Sequence, residues 1–247
     1  MIQDFYILQH DDCRLGNFIQ ATPLIRAIYE SYKSQGKTSK IPVLFQTEYV
    51  KQCYIKSPFI EHIQEPRGSL LYSTGDLAHM SGLEWAMGIK DSHYIQKKIL
   101  GHITDYKPFI DQYKNFSGNY GVFINGSGSE NPSYLDQKLV DKSFQKTIQK
   151  HSSNPIIGLG SLEDKKRNIF PGVYGDIHLA LDIINGAKWV ITNATGFFHV
   201  AGALNKIQLA LWKNCQRPRN ENLNELCTYS PKNNWENDII KFLNINS

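Results

Sequence analysis

The chain has 247 residues, of which 41% are hydrophobic and 20% charged, and it carries a formal net charge of +4 with a pI near 8.7. That is the make-up of an ordinary globular protein, long enough for one large domain or two small ones. No apolar run reaches the roughly 18 residues of a membrane-spanning helix, and the opening MIQDFYILQHDD has neither the basic leader nor the cleavage site of a signal peptide.

In chain order, strand and helix patterns alternate. Residues 5–8 are a short apolar run and a first strand. Residues 17–32 place apolar side chains at helical spacing (Phe18, Ala21, Leu24, Ile25, Ile28, Tyr29), and Pro23 makes the helix either begin near Thr22 or kink there. Residues 41–45 read as a second strand, 48–54 as a short helix and 70–72 as another strand, with short helices at 81–87 and 94–103. Residues 104–119 combine Pro, Gly, Asn and Ser without a clear period and read as a connection. A second series then begins: strand 121–124, a Gly/Ser turn at 125–130, helix 135–151 and strand 156–159. Helix 176–184 follows, capped by Asp176 and stopped by Asn185 and Gly186, then strand 189–192, helix 197–204 and strand 207–212. The segment 218–229 is polar and irregular, and 234–243 is a closing helix.

Two β/α series joined by a connection predict two doubly wound α/β domains facing across a cleft. In such sheets ligands sit beyond the carboxyl ends of the strands, where the Gly-rich turns of this sequence fall. The four cysteines (Cys13, Cys53, Cys215, Cys227) show no C-x-x-C spacing and read as free thiols of a reducing, cytoplasmic compartment. The mild positive charge suits an anionic partner, whether a nucleotide, a phosphorylated glycan, a membrane surface or DNA, without choosing among them.

The most informative segment is GAKWVITNATGFFHVAGALNKIQLALW, residues 186–212: a buried strand, N-A-T-G, and a helix with His199 near its start. The free amides and positive dipole end of such a helix form an anion site. Gly196 allows close backbone approach, Thr195 adds a hydroxyl, and His199 adds a hydrogen bond or a positive charge. The opening stretch HDDCRLGNFIQATPL is a second strand–turn–helix, with Asn17 in its first helical residues; an amide there cannot take a proton.

The 186–212 segment resembles the donor-binding signature of glycosyltransferase family 9, the lipopolysaccharide heptosyltransferase-like enzymes, G-A-x-x-V-V-x-N-D-T-G-x-x-H-x-A-A-A-L-G-x-P. Gly186, Ala187, Val190, Asn193, Thr195, Gly196, His199, Ala201, Ala203 and Leu204 match in register. The opening stretch resembles the family's R-x-G-D-x-x-x-x-T-P-x-x-R-A through Arg14, Gly16, Thr22, Pro23, Leu24, Arg26 and Ala27. Residues 57–61 (SPFIE) and 121–129 resemble two further family segments. The resemblance implies the GT-B architecture, with a reduced acceptor-side domain at 1–117, a nucleotide-sugar domain at 118–230 and a closing helix at 231–247 that packs back toward the first. It implies inverting transfer from a nucleotide-diphosphate sugar to a hydroxyl, with no cofactor and no catalytic metal; the sequence has no D-x-D pair. The implied acceptor is a cell-surface glycan or glycolipid of lipopolysaccharide type, with a modified DNA base as another option. The implied location is cytoplasmic, free or peripheral to the inner face of the membrane.

By the same resemblance the donor contacts are Gly16, Ser127, Gly128, Ser129, Thr195, Gly196 and His199, with Glu163 on the ribose. The sequence departs from the family at both carboxylates: Asn17 stands at the presumed base, and Ala194 replaces the Asp of N-D-T-G. The lysine usual after the first turn of the donor domain is also missing, since Glu130, Asn131 and Pro132 follow; Lys165, Lys166 or Arg14 are substitutes. Three accounts of the base stay open. Asp11 or Asp12 in the same loop acts; or Asn17 binds a hydroxyl and a group such as Asp76 or His79 acts; or catalysis is lost and nucleotide-sugar binding remains. A dinucleotide-dependent oxidoreductase is disfavoured, because the first turn lacks G-x-G-x-x-G.

Overall fold

The computed structural model describes residues 5–10, 15–37, 39–73 (71–73 by backbone only), 118–126, 140–193, 195–212 and 226–247. The chain divides into two compact units, Met1–Asp111 with Arg219–Leu223, and Gln112–Pro218 with Asn224–Ser247. The helices expected at 81–87 and 94–103 lie outside the described residues.

The first unit is built on a parallel sheet. Strands β1 (Phe5–Gln9), β2 (Ile41–Phe45), β3 (Ile60–Ile63) and β4 (Ser69–Ser73) stand in the order β3-β2-β1-β4. Between β1 and β2 runs α1 (Leu15–Ser34), and α2 (Glu48–Gln52) follows β2. Helix α1 passes Pro23 without ending. The carbonyl that loses its partner at a helical proline is the one four residues back, and here the Thr22 hydroxyl donates to Ile19 O at 2.6 Å. Phe18, Ile19, Ile25 and Ile28 of α1 are fully buried, and Phe18 packs on Phe45 and Tyr54. Gln9 closes the carboxyl end of β1: its amide donates to Thr47 Oγ1 (3.2 Å) and its carbonyl accepts from Thr47 N (3.0 Å).

The second unit carries β5 (Gly121–Ile124), α3 (Lys142–His151), β6 (Ile156–Gly160), a 3-10 turn (Asp164–Arg167), β7 (Gly172–Tyr174) and α4 (Ile177–Gly186). Then come β8 (Trp189–Asn193), α5 (Gly196–Ala203), β9 (Gln208–Trp212), β10 (Cys227–Pro231) and α6 (Trp235–Asn246). All six strands are parallel, in the order β10-β9-β8-β5-β6-β7. Counted within the unit this is 6-5-4-1-2-3, the doubly wound dinucleotide-fold order, whose winding reverses between β5 and β8. Every residue of β5 and β8 is buried, as expected of strands covered on both faces. Trp189 fits because its partner across the ladder is Gly121, where a Cβ would stand 2.0 Å from the indole.

Three strands are absent from the sequence expectation: β3, β7 and β10. Helix α3 begins at Lys142, with Asp141 in extended conformation before it, so its start falls later than the expected 135; residues 127–139 lie outside the described residues. Asp176 caps α4 as expected, its carboxylate accepting from Leu179 N at 3.0 Å. The closing helix, expected to pack back toward the first domain, has its buried face in the second unit. Trp235, Ile239, Phe242 and Leu243 of α6 join Phe123, Ile148, Trp189, Leu209 and Leu211 in one core, with Phe144 of α3 edge-on to Trp235.

Candidate functional site

At the carboxyl ends of β5 and β8, where the winding reverses, two turns face each other. Leaving β8, the chain folds tightly, with Thr195 N donating to Asn193 O (2.8 Å), and enters α5 at Gly196. Thr195 is the N-cap by position, in extended conformation, yet its side chain makes no capping bond. Its Oγ1 is buried and has no hydrogen-bond partner among the described residues, although a buried hydroxyl normally has one. At the start of α5 the Phe198 amide donates to Thr195 O (3.1 Å), while the amides of Gly196 and Phe197 are of the kind a helix leaves unpaired at its positive dipole end. An unused buried hydroxyl beside them forms a place for an anionic ligand oxygen.

Leaving β5, Asn125 and Gly126 are fixed from several directions. Asn193 Nδ2 donates to Gly126 O (2.9 Å) and approaches Asn125 Oδ1 (3.5 Å). Asn125 clamps Val140 in both directions, Nδ2 to Val140 O at 3.0 Å and Val140 N to Oδ1 at 2.8 Å. A Cβ placed on Gly126 would stand 3.4 Å from Thr195 Cγ2 and 3.5 Å from Asp164 Oδ2. The turns after β5, β6 and β8 therefore meet at Gly126.

His199 lies on the first turn of α5, partly buried, with its ring edge-on to Phe198. Burial pushes its imidazole down to about 4, so at pH 7 it is neutral and offers a hydrogen bond without a charge. Of the two roles open to it in the sequence, the positive charge is the one this environment disfavours.

After β6, Glu163 is exposed and its side chain makes no hydrogen bond among the described residues. The adjacent Asp164, passed over in the sequence, is 3% exposed and accepts from Ser161 N and Oγ, both at 2.8 Å. Its position follows from the 3-10 turn, which rotates one of two neighbouring acids inward and the other outward. Tyr174 is pushed up to about 12 by burial and then by the Asp164 charge. In the first unit, Gly16 is buried and Asn17 exposed on the first turn of α1. Asp11, Asp12, Arg14, Asp76, His79, Ser127, Gly128, Ser129 and Ala194 lie outside the described residues. No group of three or more His, Cys, Asp or Glu suited to a metal ion, and no helix long and apolar enough to cross a membrane, occurs among the described residues. Among the described residues Cys53 and Cys227 form no disulfide, and the Cys53 thiol donates to Tyr49 O (3.2 Å); burial pushes the Cys227 thiol up to about 12, so it is not a nucleophile at neutral pH.

A parallel sheet wound in this order, with a glycine-flanked helix start at its switch point, defines the second unit as a Rossmann-type α/β unit. No protein-family model and no curated protein matches the sequence. The fold as a whole is that of the family 9 glycosyltransferases. The E. coli heptosyltransferase WaaC with ADP superposes over 98% of this chain and 99% of its own, with a TM-score of 0.66 and 11% identity. The E. coli ADP-heptose lps heptosyltransferase II follows at 98% and 97%, TM-score 0.60 and 12% identity. A family 9 glycosyl transferase from Veillonella parvula DSM 2008 superposes over 92% and 86%, with TM-score 0.60 and 12% identity.

Proposed function

We propose that the protein is an inverting, metal-independent glycosyltransferase that moves a sugar from a nucleotide-diphosphate sugar to a hydroxyl acceptor. The observation that carries this reading is the unpartnered, buried Thr195 hydroxyl at the amide-bearing start of α5, set where the second sheet reverses its winding. In this reading the base takes the acceptor proton as the acceptor oxygen attacks the anomeric carbon from the face opposite the leaving group. The bond from that carbon to the diphosphate oxygen breaks, and the diphosphate leaves with the electron pair. Thr195, the first amides of α5 and neutral His199 donate to it as its charge grows. Asp164, buried with one oxygen unpartnered, is the better-placed acid for the nucleoside than exposed Glu163.

An ADP-sugar is the first donor to try, because a related structure holds ADP and another is of an ADP-heptose enzyme. The fold likeness favours a glycan or glycolipid acceptor of lipopolysaccharide type, met in the cytoplasm or at the inner membrane face; a modified DNA base is the second acceptor class. The competing reading is a catalytically inactive nucleotide-sugar-binding protein, favoured by Asn17 and Ala194 at the two family carboxylate positions.

A panel of ADP-, UDP-, GDP- and CMP-sugars separates the two readings. Donor hydrolysis or transfer supports the enzyme, and tight binding with neither across the acceptor classes supports the binding protein. For the base, Asp11→Asn or Asp12→Asn is expected to abolish turnover, a loss of at least about a hundredfold, with donor affinity kept. Full activity in both variants removes these acids from the reaction.

A further inference from the structure

The loop after β6 holds a second set of unpartnered buried polar atoms. Lys165 and Lys166 of its 3-10 turn are exposed, but Arg167 turns inward. Among the described residues its buried Nη1 has no hydrogen-bond partner, and it lies 3.9 Å from Asp164 Oδ1, which is buried and without a hydrogen-bond partner there as well. That separation is too long for a hydrogen bond, so each charge attracts the other while keeping an unfilled bonding direction. The other oxygen of Asp164, held by Ser161, faces Gly126 next to Thr195.

The backbone that carries Arg167 is held by a buried side chain. Gln145 of α3 donates to Arg167 O (2.9 Å) and to Val140 O (2.9 Å), and it accepts from Ile169 N (2.9 Å). Val140 is the residue that Asn125 clamps. A single line of hydrogen bonds thus joins the loop of Arg167 to the turn at Gly126 and, through Asn193, to the turn at Thr195.

We propose that Arg167 is the cation that recognises the diphosphate of the bound nucleotide, and that Gln145 is its positioning residue. This rests on reading the second unit as a nucleotide-diphosphate site. The sequence makes the role vacant: no lysine follows the first turn of the unit, where Glu130, Asn131 and Pro132 stand. A guanidinium offers a planar fork of donors that matches two phosphate oxygens, and its always-present charge supplies what neutral His199 does not.

Calorimetry with ADP and adenosine, repeated with UDP and uridine, tests the assignment. Arg167→Gln is expected to lower diphosphate affinity about ten- to hundredfold and leave nucleoside affinity unchanged, with Arg167→Lys in between. Gln145→Leu is expected to lower diphosphate affinity in the same selective way but by less, and Lys150→Ala to change neither. Thermal unfolding of each variant identifies any that fail to fold, in which case Arg167→Lys decides. Equal diphosphate affinity in folded Arg167→Gln and wild type overturns the proposal and leaves a purely structural pair with Asp164. So does a Lys165→Ala/Lys166→Ala chain that loses ADP while Arg167→Gln keeps it. If the wild-type protein binds neither ADP nor UDP, the nucleotide reading itself falls.

Discussion

His199 shows how one environment sets both a binding mode and a pH dependence. Its folded-state value of about 4 lies below the ordinary 6.5, so between those values the unfolded chain takes up a proton that the folded chain refuses. Stability is therefore lost as pH falls from 6.5 toward 4, and the loss levels off below that. The residue as a whole is only partly buried, which limits the effect to about 1–2 kcal/mol. Urea unfolding at pH 7.5 and 4.5 checks this: the wild type should lose more than His199→Asn by that amount. The comparison is needed because His62, lowered chiefly by burial, titrates in the same direction in both chains. A bound diphosphate should raise the His199 value, which imidazole NMR shifts with and without ADP would report; an unmoved value would place the ring away from the phosphates. Asn193, Thr195, Gly196 and His199 stand in one short motif that the sequence shows, whereas the hydrogen bonds that Asn125, Gln145 and Asn193 make to distant segments are not visible in it. The Asn193–Gly126 bond spans 67 residues, and no local pattern announces such a partner. Asp164 was missed for a different reason: only the 3-10 turn tells it from Glu163.

Element by element, the sequence was most legible where a run of burial was long. Strands β5 and β8 and helices α1 and α4 announce themselves by continuous apolar or periodic patterns. Strands β3, β7 and β10 are three to five residues long, and Glu61, Gly172 and Pro231 within them argue against strand; the neighbouring ladder makes them strands. Of the two readings Pro23 left open, a helix start near Thr22 is ruled out, because α1 runs through Pro23 from Leu15 and the proline's lost bond is replaced one residue away. Thr22→Val removes the hydroxyl that serves Ile19 O and should cost about 1–2 kcal/mol, read from the urea midpoint, while Thr22→Ser should stay near wild type. If the valine variant is as stable as wild type, the helix carries its proline some other way. Two glycines contrast usefully. At Gly172 a Cβ would stand 1.8 Å from the Gly158 carbonyl oxygen, backbone against backbone, so Gly172→Ala should cost about 3 kcal/mol or more. At Gly126 the same methyl meets only ordinary contacts but occupies the space between Thr195 and Asp164. Gly126→Ala should fold normally and bind nucleotide diphosphates more weakly; normal binding would move the ligand off this turn.

For the molecule as a whole, the alternation of patterns implied parallel α/β sheets, and both described sheets are parallel. Strand order was not implied, because which strands neighbour each other depends on contacts between distant segments. The order found in the second unit places its switch point between β5 and β8, and thereby selects the turns that can share one ligand. A testable consequence concerns where ligand binding is felt. A ligand that binds the folded state alone stabilises it by mass action, about 2.7 kcal/mol at a concentration a hundred times its dissociation constant. The gain should appear first in the amides that touch the ligand. Hydrogen exchange with saturating ADP should therefore slow at 125–126, 161–169 and 195–199, the three turns that meet at Gly126. The first unit's α1 start, Leu15–Asn17, where Gly16 is an implied donor contact and Asn17 stands at the family's base position, should slow less with ADP alone than with donor and acceptor both present. Protection by ADP centred on α1, with none at 195–199, would assign the nucleotide to the first sheet and reverse the roles proposed for the two units.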